Sequence, residues 1–372
     1  MRKVFIISTL LAVFLASCLR KEPVLSSDRT GGEIVFDTPV TSTMMKSVPG
    51  PITDFSYPED ETMGIFAVHS NEPAGTWATK GSTMYINGGE FKALSTGTWA
   101  GWDGTKRYPY YWPDNGSLIF AGYSPYRKLN DSRAETPIEN VEFIASERKL
   151  KISEYTIGTY IPMSKEEIED PDVDYKNASQ SDLMFFLPPI DSDGNYIGVN
   201  NLPSCEAHFM HALSLVEFNV KVEDEFDIDR VHIGKIVLEN VLHTGDFSAT
   251  RLDNGEVEIK WENLYDYNLH KNLTIFEAEN ATNALYMSLE PRTVAQILII
   301  PGPTHPIDIH SHTHINGKIY NQEVTVTPEE VGISEWKAGR RYVYNITLGI
   351  NKITFSANSE KWNDNSGGIT IQ

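Results

Sequence analysis

Tyr342-Val343-Tyr344-Asn345-Ile346-Thr347-Leu348-Gly349-Ile350 places a large apolar residue at every second position. Successive side chains of a strand point to opposite faces, so this run reads as a half-buried β-strand. The same habit recurs toward the N-terminus. Ile34-Val35-Phe36 and the runs at 63–68, 118–123, 213–220, 233–238, 296–300 and 323–326 are short and rich in β-branched and aromatic residues. Gly, Pro, Asn and Asp punctuate them, as strands joined by turns require. Asp114-Asn115-Gly116, Asp253-Asn254-Gly255 and Asn316-Gly317 supply the residue types that hairpin turns favour. Helix signals are sparse. Ser164 and Glu167 form a capping box ahead of Pro171, and Pro328-Glu329-Glu330-Val331 can make one turn. Many short strands without alternating helices imply an all-β chain built from sandwiches.

The chain has 372 residues, which suggests about two domains. The polar, turn-forming stretch Pro188-Pro189-Ile190-Asp191-Ser192-Asp193-Gly194-Asn195 is the expected junction. It divides the fold into residues 32–194 and 195–372. The net charge is −20, from 31 Lys and Arg against 51 Asp and Glu. Nucleic-acid binding needs clustered cations to neutralise phosphate, so no nucleic-acid partner is expected. Only two cysteines are present, too few for a disulfide scaffold or a cysteine-based zinc module.

One of the two cysteines carries a specific meaning. Arg2 and Lys3 precede an apolar stretch at 4–15, which is too short for a typical membrane span. It ends in Leu15-Ala16-Ser17-Cys18, which resembles the bacterial lipobox. The resemblance implies a signal peptide at 1–17, cleavage before Cys18 and lipid attachment there. Acyl chains then hold a polypeptide at a membrane through their buried methylenes. Residues 18–31 are polar and without periodicity, and read as a tether. No later segment approaches 18 uncharged apolar residues.

Catalytic signatures are absent from the sequence. There is no Gly-rich phosphate loop, no His-Glu-x-x-His and no Gly-x-Ser-x-Gly. Accordingly, neither an enzyme nor a cofactor is expected. His305, His310, His312 and His314 are the sharpest metal candidates, since His310, His312 and His314 share one face of a strand. The alternation with Ile309, Ser311, Thr313 and Ile315 favours an ordinary hairpin with polar residues outward. Asp191–Asn195 lacks the glycine and glutamate placement of a calcium loop and reads as an Asx-rich turn. Cys205 has His208 and His211 nearby, but their strand spacing does not bring them together, so a buried thiol is expected. Trp99, Trp102, Tyr108, Tyr110, Tyr111 and Trp112 form an aromatic run. It serves either as core or as a platform for sugar rings, and the second use would make a surface glycan-binding lipoprotein.

A set of motifs in order along the chain carries a family resemblance. They are Tyr108-Pro109-Tyr110-Tyr111-Trp112-Pro113, Leu118-Ile119-Phe120-Ala121-Gly122-Tyr123-Ser124-Pro125, Ser181-Asp182-Leu183-Met184-Phe185-Phe186 and Phe209-Met210-His211-Ala212-Leu213-Ser214. Ile299-Ile300-Pro301-Gly302, Trp336-Lys337-Ala338-Gly339-Arg340-Arg341-Tyr342 and Trp362 complete the set. Together with the lipobox, the chain resembles the fimbrillin family of Bacteroidetes lipoproteins, the pilus subunits with their anchor and tip relatives. The resemblance implies two tandem transthyretin-like β-sandwiches. It also implies outer-membrane anchoring through Cys18 and partnership with other fimbrial subunits. Adhesion to a host or bacterial surface receptor follows from the same resemblance.

In the family's stalk subunits, proteolysis after an arginine removes the first strand, and a neighbour's strand fills the groove. Here that implies Ile34 and Phe36 as the first-strand residues of the groove. Ile353 and Phe355, or Ile369 and Ile371, are the implied donor residues. Arg29 precedes Ile34, and the next arginine is Arg107.

Overall fold

The computed structural model describes residues 31–37, 40–41, 57–58, 60–77, 82–94, 98–129, 134–169, 180–225, 230–262, 270–278, 285–316, 318–350 and 352–362. Cys18, Ile369 and Ile371 lie outside them. Strands dominate, as the alternation requires, and the described residues belong to one compact unit that begins at Gly31. The two short helices fall where capping predicts. Lys165–Glu169 starts with Ser164 N–H on Glu167 Oε2 (2.7 Å) and Glu167 N–H on Ser164 Oγ (3.2 Å). Pro328–Val331 has the same reciprocal cap between Thr327 and Glu330. Among the described residues no helix is long and apolar enough to cross a membrane.

Eight strands make the first sheet. In spatial order they are Cys205–Glu206, Val35–Asp37, Thr98–Gly101, Thr83–Ala93, Thr62–Ser70, Ser117–Ser124, Met184–Phe186 and Met210–His211. Its two outermost strands are consecutive in sequence, with only residues 207–209 between them. Four peptide units from Glu206 to Met210 reach at most about 15 Å. Eight strands laid flat would separate the outermost pair by about 34 Å. The sheet must therefore curl until its edges meet, and the short 205–211 segment closes it. Inside the curl lie Ile34, Phe36, Met63, Ile65, Phe91, Trp99, Trp112, Phe120, Met184, Phe186 and Phe209.

The outer face of this sheet packs on a second one, ordered Val141–Ile144, Lys149–Thr156, Thr244–Arg251 and Val257–Glu262. Phe66, Ile119, Tyr123 and Phe185 on one side share a core with Leu150, Ile152, Phe247 and Trp261 on the other. The C-terminal part forms a separate sandwich. One sheet runs Arg292–Ile299, Ser214–Val222, Arg340–Leu348, Ile353–Lys361. The other runs His270–Glu277, Val231–Leu242, Ile307–Ile315, Lys318–Val326, with Leu285–Tyr286 beside Val231–Leu242. Val216, Phe218, Ile233, Ile236, Ile297, Ile309, Tyr344 and Ile346 fill the space between.

Backbone pairing crosses the junction expected at residues 194/195. Cys205–Glu206 lies parallel to Val35–Asp37, and Met210–His211 pairs with Met184–Phe186. Thr244–Arg251 pairs with Lys149–Thr156. Only His243 separates Val231–Leu242, in one sandwich, from Thr244–Arg251, in the other. Asp191–Asn195 is a tight turn instead of an interdomain linker. Asp191 Oδ1 accepts from the Asp193 and Asn195 N–H groups (2.9 and 2.8 Å), and Gly194 takes φ +80°.

Candidate functional site: the first strand and its groove

Residues 31–37 reach the curled sheet from the chain's N-terminal side. Ile34 N–H donates to Tyr110 O (2.7 Å), and Trp112 N–H donates to Gly32 O (3.0 Å). Val35, Phe36 and Asp37 then pair antiparallel with Ala100, Trp99 and Thr98. On the other side Phe36 and Asp37 register in parallel with Cys205 and Glu206. The segment therefore lies between two lines of backbone, with few residues contributing to each.

Side chains do more of the holding. Strand alternation sends Ile34 and Phe36 inward, and both are 0% exposed, whereas Asp37 is exposed. The Phe36 ring meets Phe91 edge-on at 5.4 Å and Phe120 at 5.3 Å, and lies 6.3 Å from Phe186. Fully burying an aromatic side chain is worth about 1.5–3 kcal/mol, and edge-on ring pairs add to that. At the rim Arg107 reaches Glu33 at 2.6 Å, and the Ser204 hydroxyl donates to the Asp37 carboxylate. Without residues 31–37 the sheet would present a slot with free backbone groups on both walls. Its floor would hold two apolar pockets at every-second-residue spacing. Such a slot receives an extended segment by strand addition.

Cys205 sits in the wall of the slot and is buried. Burial, with Asp37 nearby, pushes its thiol up to about 12. A nucleophilic cysteine needs the opposite shift and a positioned base. His208 instead faces Glu206 at 3.2 Å, and His211 bonds Asp182 at 2.9 Å in full burial while stacking on Trp362 at 3.7 Å.

The implied donor residues are placed differently. Ile353 and Phe355 lie in Ile353–Lys361, which pairs antiparallel with Arg340–Leu348 over nine registered positions. Both side chains are partly buried against the C-terminal core. The opposite edge of that sheet is closed by a side chain the sequence reading did not single out. Gln180 donates from Nε2 to Leu298 O (3.1 Å) and accepts from Leu298 N–H at Oε1 (3.0 Å), imitating one rung of a strand.

The histidines do not converge. His305 lies beside His270 and Trp336, and burial together with His270 pulls its pKa down. His310 faces Glu323 (3.3 Å), His312 bonds Asn321 (2.9 Å), and His314 lies 4.7 Å from His232. Among the described residues no group of three or more His, Cys, Asp or Glu is arranged to hold a metal ion. The aromatic run is divided. Trp99 and Trp112 are 0% and 1% exposed, and Trp102, Tyr108, Tyr110 and Tyr111 are half-buried. Tyr110 stacks on Phe91, and Lys92 Nζ covers the Trp102 ring at 4.7 Å. Buried indoles offer no face to a sugar, so Trp99 and Trp112 serve the core.

Comparison with known proteins places this architecture. The family model described as fimbrillin-like matches residues 53–362. No curated protein matches the sequence. Among solved structures, a candidate cell adhesion protein from Bacteroides ovatus is similar at 14% identity and TM-score 0.48, covering 90% of this chain and 99% of that one. A fimbrial protein from Bacteroides vulgatus is similar at 14% identity and TM-score 0.41, covering 81% and 93%. The tip fimbrial protein Mfa3 from Porphyromonas gingivalis, with a C-terminal truncation, is similar at 11% identity and TM-score 0.33, covering 89% and 99%. With the family model spanning most of its length, the chain belongs to the fimbrillin-like family.

Proposed function

We propose that the protein is a structural subunit or accessory (anchor or tip) protein of a cell-surface fimbria that assembles by β-strand exchange and supports adhesion. A lipid on Cys18 would hold it to the outer membrane, with other fimbrial subunits as partners. One observation carries this reading. A three-residue strand, Val35–Asp37, with Ile34 just before it, plugs an aromatic-lined slot in a sheet that other strands have already curled. A plug of that kind can be replaced by an extended segment of a neighbour that offers apolar residues two apart.

Two segments with that pattern are the implied donors. Ile353–Lys361 would have to abandon nine registered pairs with Arg340–Leu348. Ile369-Thr370-Ile371 follows Gly367-Gly368 and lies outside the described residues. The pairing of Ile353–Lys361 argues against it as donor, and this reading takes the segment around Ile369 and Ile371. The exchanging module is residues 32–194 together with the 205–211 and 244–262 segments that complete its sheets. Cleavage after Arg29 would sever the lipid and leave the plug in place, so release of the plug needs a cut between Asp37 and Thr62 by a protease that does not require arginine.

The test compares the full chain carrying Cys18→Ser with a chain that starts at residue 38. The truncated chain is expected to form heat-sensitive multimers, and to stop doing so when Ile369 and Ile371 are both replaced by aspartate. A folded truncated chain that stays monomeric and takes up no peptide spanning 363–372 would refute strand exchange.

A further inference from the structure

A cavity of about 440 Å³ opens beside the closing 205–211 segment. Its lining is mainly apolar and includes Ile119, Leu187, Ile197, Leu202, Phe209 and Met210. Leu202 remains 39% exposed. Into the same cavity comes Arg251. This arginine differs from four others. Arg107, Arg127, Arg148 and Arg341 each hold a carboxylate, at 2.6, 2.8, 2.7 and 2.8 Å. Arg251 donates instead to two backbone carbonyls, Gly255 O (2.8 Å) and Leu187 O (3.1 Å). Its Nε is buried and has no hydrogen-bond partner, and it forms no salt bridge among the described residues. Asp253, two residues away, is held by Arg148.

Glu206 and His208, which also line the cavity, face each other at 3.2 Å. Among the described residues Arg251 is thus a largely buried cation without a paired carboxylate, at the wall of a mainly apolar space. Burial works against its charged form and pulls its pKa down, yet a guanidinium stays protonated in proteins. A guanidinium with donors to spare binds a carboxylate with strong, directional hydrogen bonds. Cavities of this size and character, apolar with one fixed polar group, are typical of small-molecule sites.

We propose that this cavity binds a small amphiphile, an apolar chain or ring system bearing a carboxylate, with Arg251 gripping the head group and the apolar lining covering the body. The chain's charge of −20 gives a free anion no long-range attraction, so recognition rests on the local pair and on apolar burial.

The probe is decanoate, with decanol as its uncharged counterpart, titrated calorimetrically into the full chain. Saturable one-to-one binding of decanoate, tighter than decanol, is expected. Arg251→Met should weaken decanoate by about tenfold or more, the worth of a lost charge-assisted pair, and leave decanol nearly unchanged. Arg251→Lys keeps the charge and should retain part of the preference. Leu202→Trp, placed at an exposed lining position, should weaken both probes while thermal melting stays unchanged. Equal binding of decanoate and decanol, loss of both on Arg251→Met in a folded variant, or no saturable binding would overturn the proposal. So would competition by a peptide that displaces decanoate and binds Arg251→Met as well as the parent.

Discussion

Val35–Asp37 and Ile353–Lys361 each complete a sheet, but by opposite means. The first contributes three residues of pairing to each neighbour at most, and with Ile34 it buries two large side chains completely. The last contributes nine registered pairs to one neighbour, and its side chains are half-buried or exposed. One strand is held by what its side chains fill, the other by its backbone. In the proposed reading, a plug held by two side chains is exchanged for a segment that offers two similar ones. A strand held along nine residues of backbone is a fixed part of its sandwich.

The largest expected effect tests this contrast directly. Phe36→Ala should cost about 3–5 kcal/mol in urea unfolding, as for other buried aromatics cut to alanine. Phe355→Ala, at a half-buried position, should cost about 1–2 kcal/mol, from the smaller apolar area it hides. Equal losses would break the comparison. Next comes Gln180→Ala, which leaves the Leu298 N–H and C=O without their rung. About 1–3 kcal/mol is expected, the cost of orphaning buried polar groups. Hydrogen exchange at Leu298 should accelerate with it, which would show that the edge opposite Ile353–Lys361 depends on one side chain.

A pH dependence follows from Cys205. Its folded thiol is raised to about 12 from an ordinary value near 9. Between those values the unfolded chain has lost the proton and the folded chain keeps it. Stability therefore falls as pH rises through this window and is unaffected below it. At pH 10 the loss is about 1 kcal/mol, from roughly one pH unit of differential titration. Cys205→Ala should flatten the fall, read from denaturation midpoints between pH 8 and 10. The smallest effect is expected at the exposed pair Lys352–Glu223, 2.6 Å apart. Lys352→Ala should change stability by no more than about 0.5 kcal/mol, since solvent screens such pairs.

The fold class was legible because its strands are short apolar runs bounded by turn residues, with period-two alternation in some, such as Ile307–Ile315, and continuous burial in others, such as Ser117–Ser124. The helix cap at Ser164 and the turn at Pro328–Val331 were legible because both rest on local chemistry. What the sequence concealed is which sheet each strand joins. Cys205–Glu206 and Met210–His211 are two residues each, too short to show any period, yet they close the first sheet. The run from Val231 to Arg251 is strand almost throughout, and nothing in its composition marks His243 as the point where it passes from one sandwich to the other. Ile34 and Phe36 stand out through the family resemblance, and the structure buries both in the core of the first sheet. Arg251 gave no sign, because an arginine's missing partner is visible only in three dimensions.

The central claim is that residues 31–37 plug a slot that another segment can fill, and the wall of that slot contains its own reporter, Cys205. Alkylation of Cys205 by iodoacetamide can be timed in the full chain carrying Cys18→Ser, in the chain starting at residue 38, and in that chain once multimers form. The account predicts slow reaction in the full chain, fast reaction in the truncated monomer, and renewed protection in the multimer. A folded truncated monomer whose Cys205 remains as protected as in the full chain would contradict it.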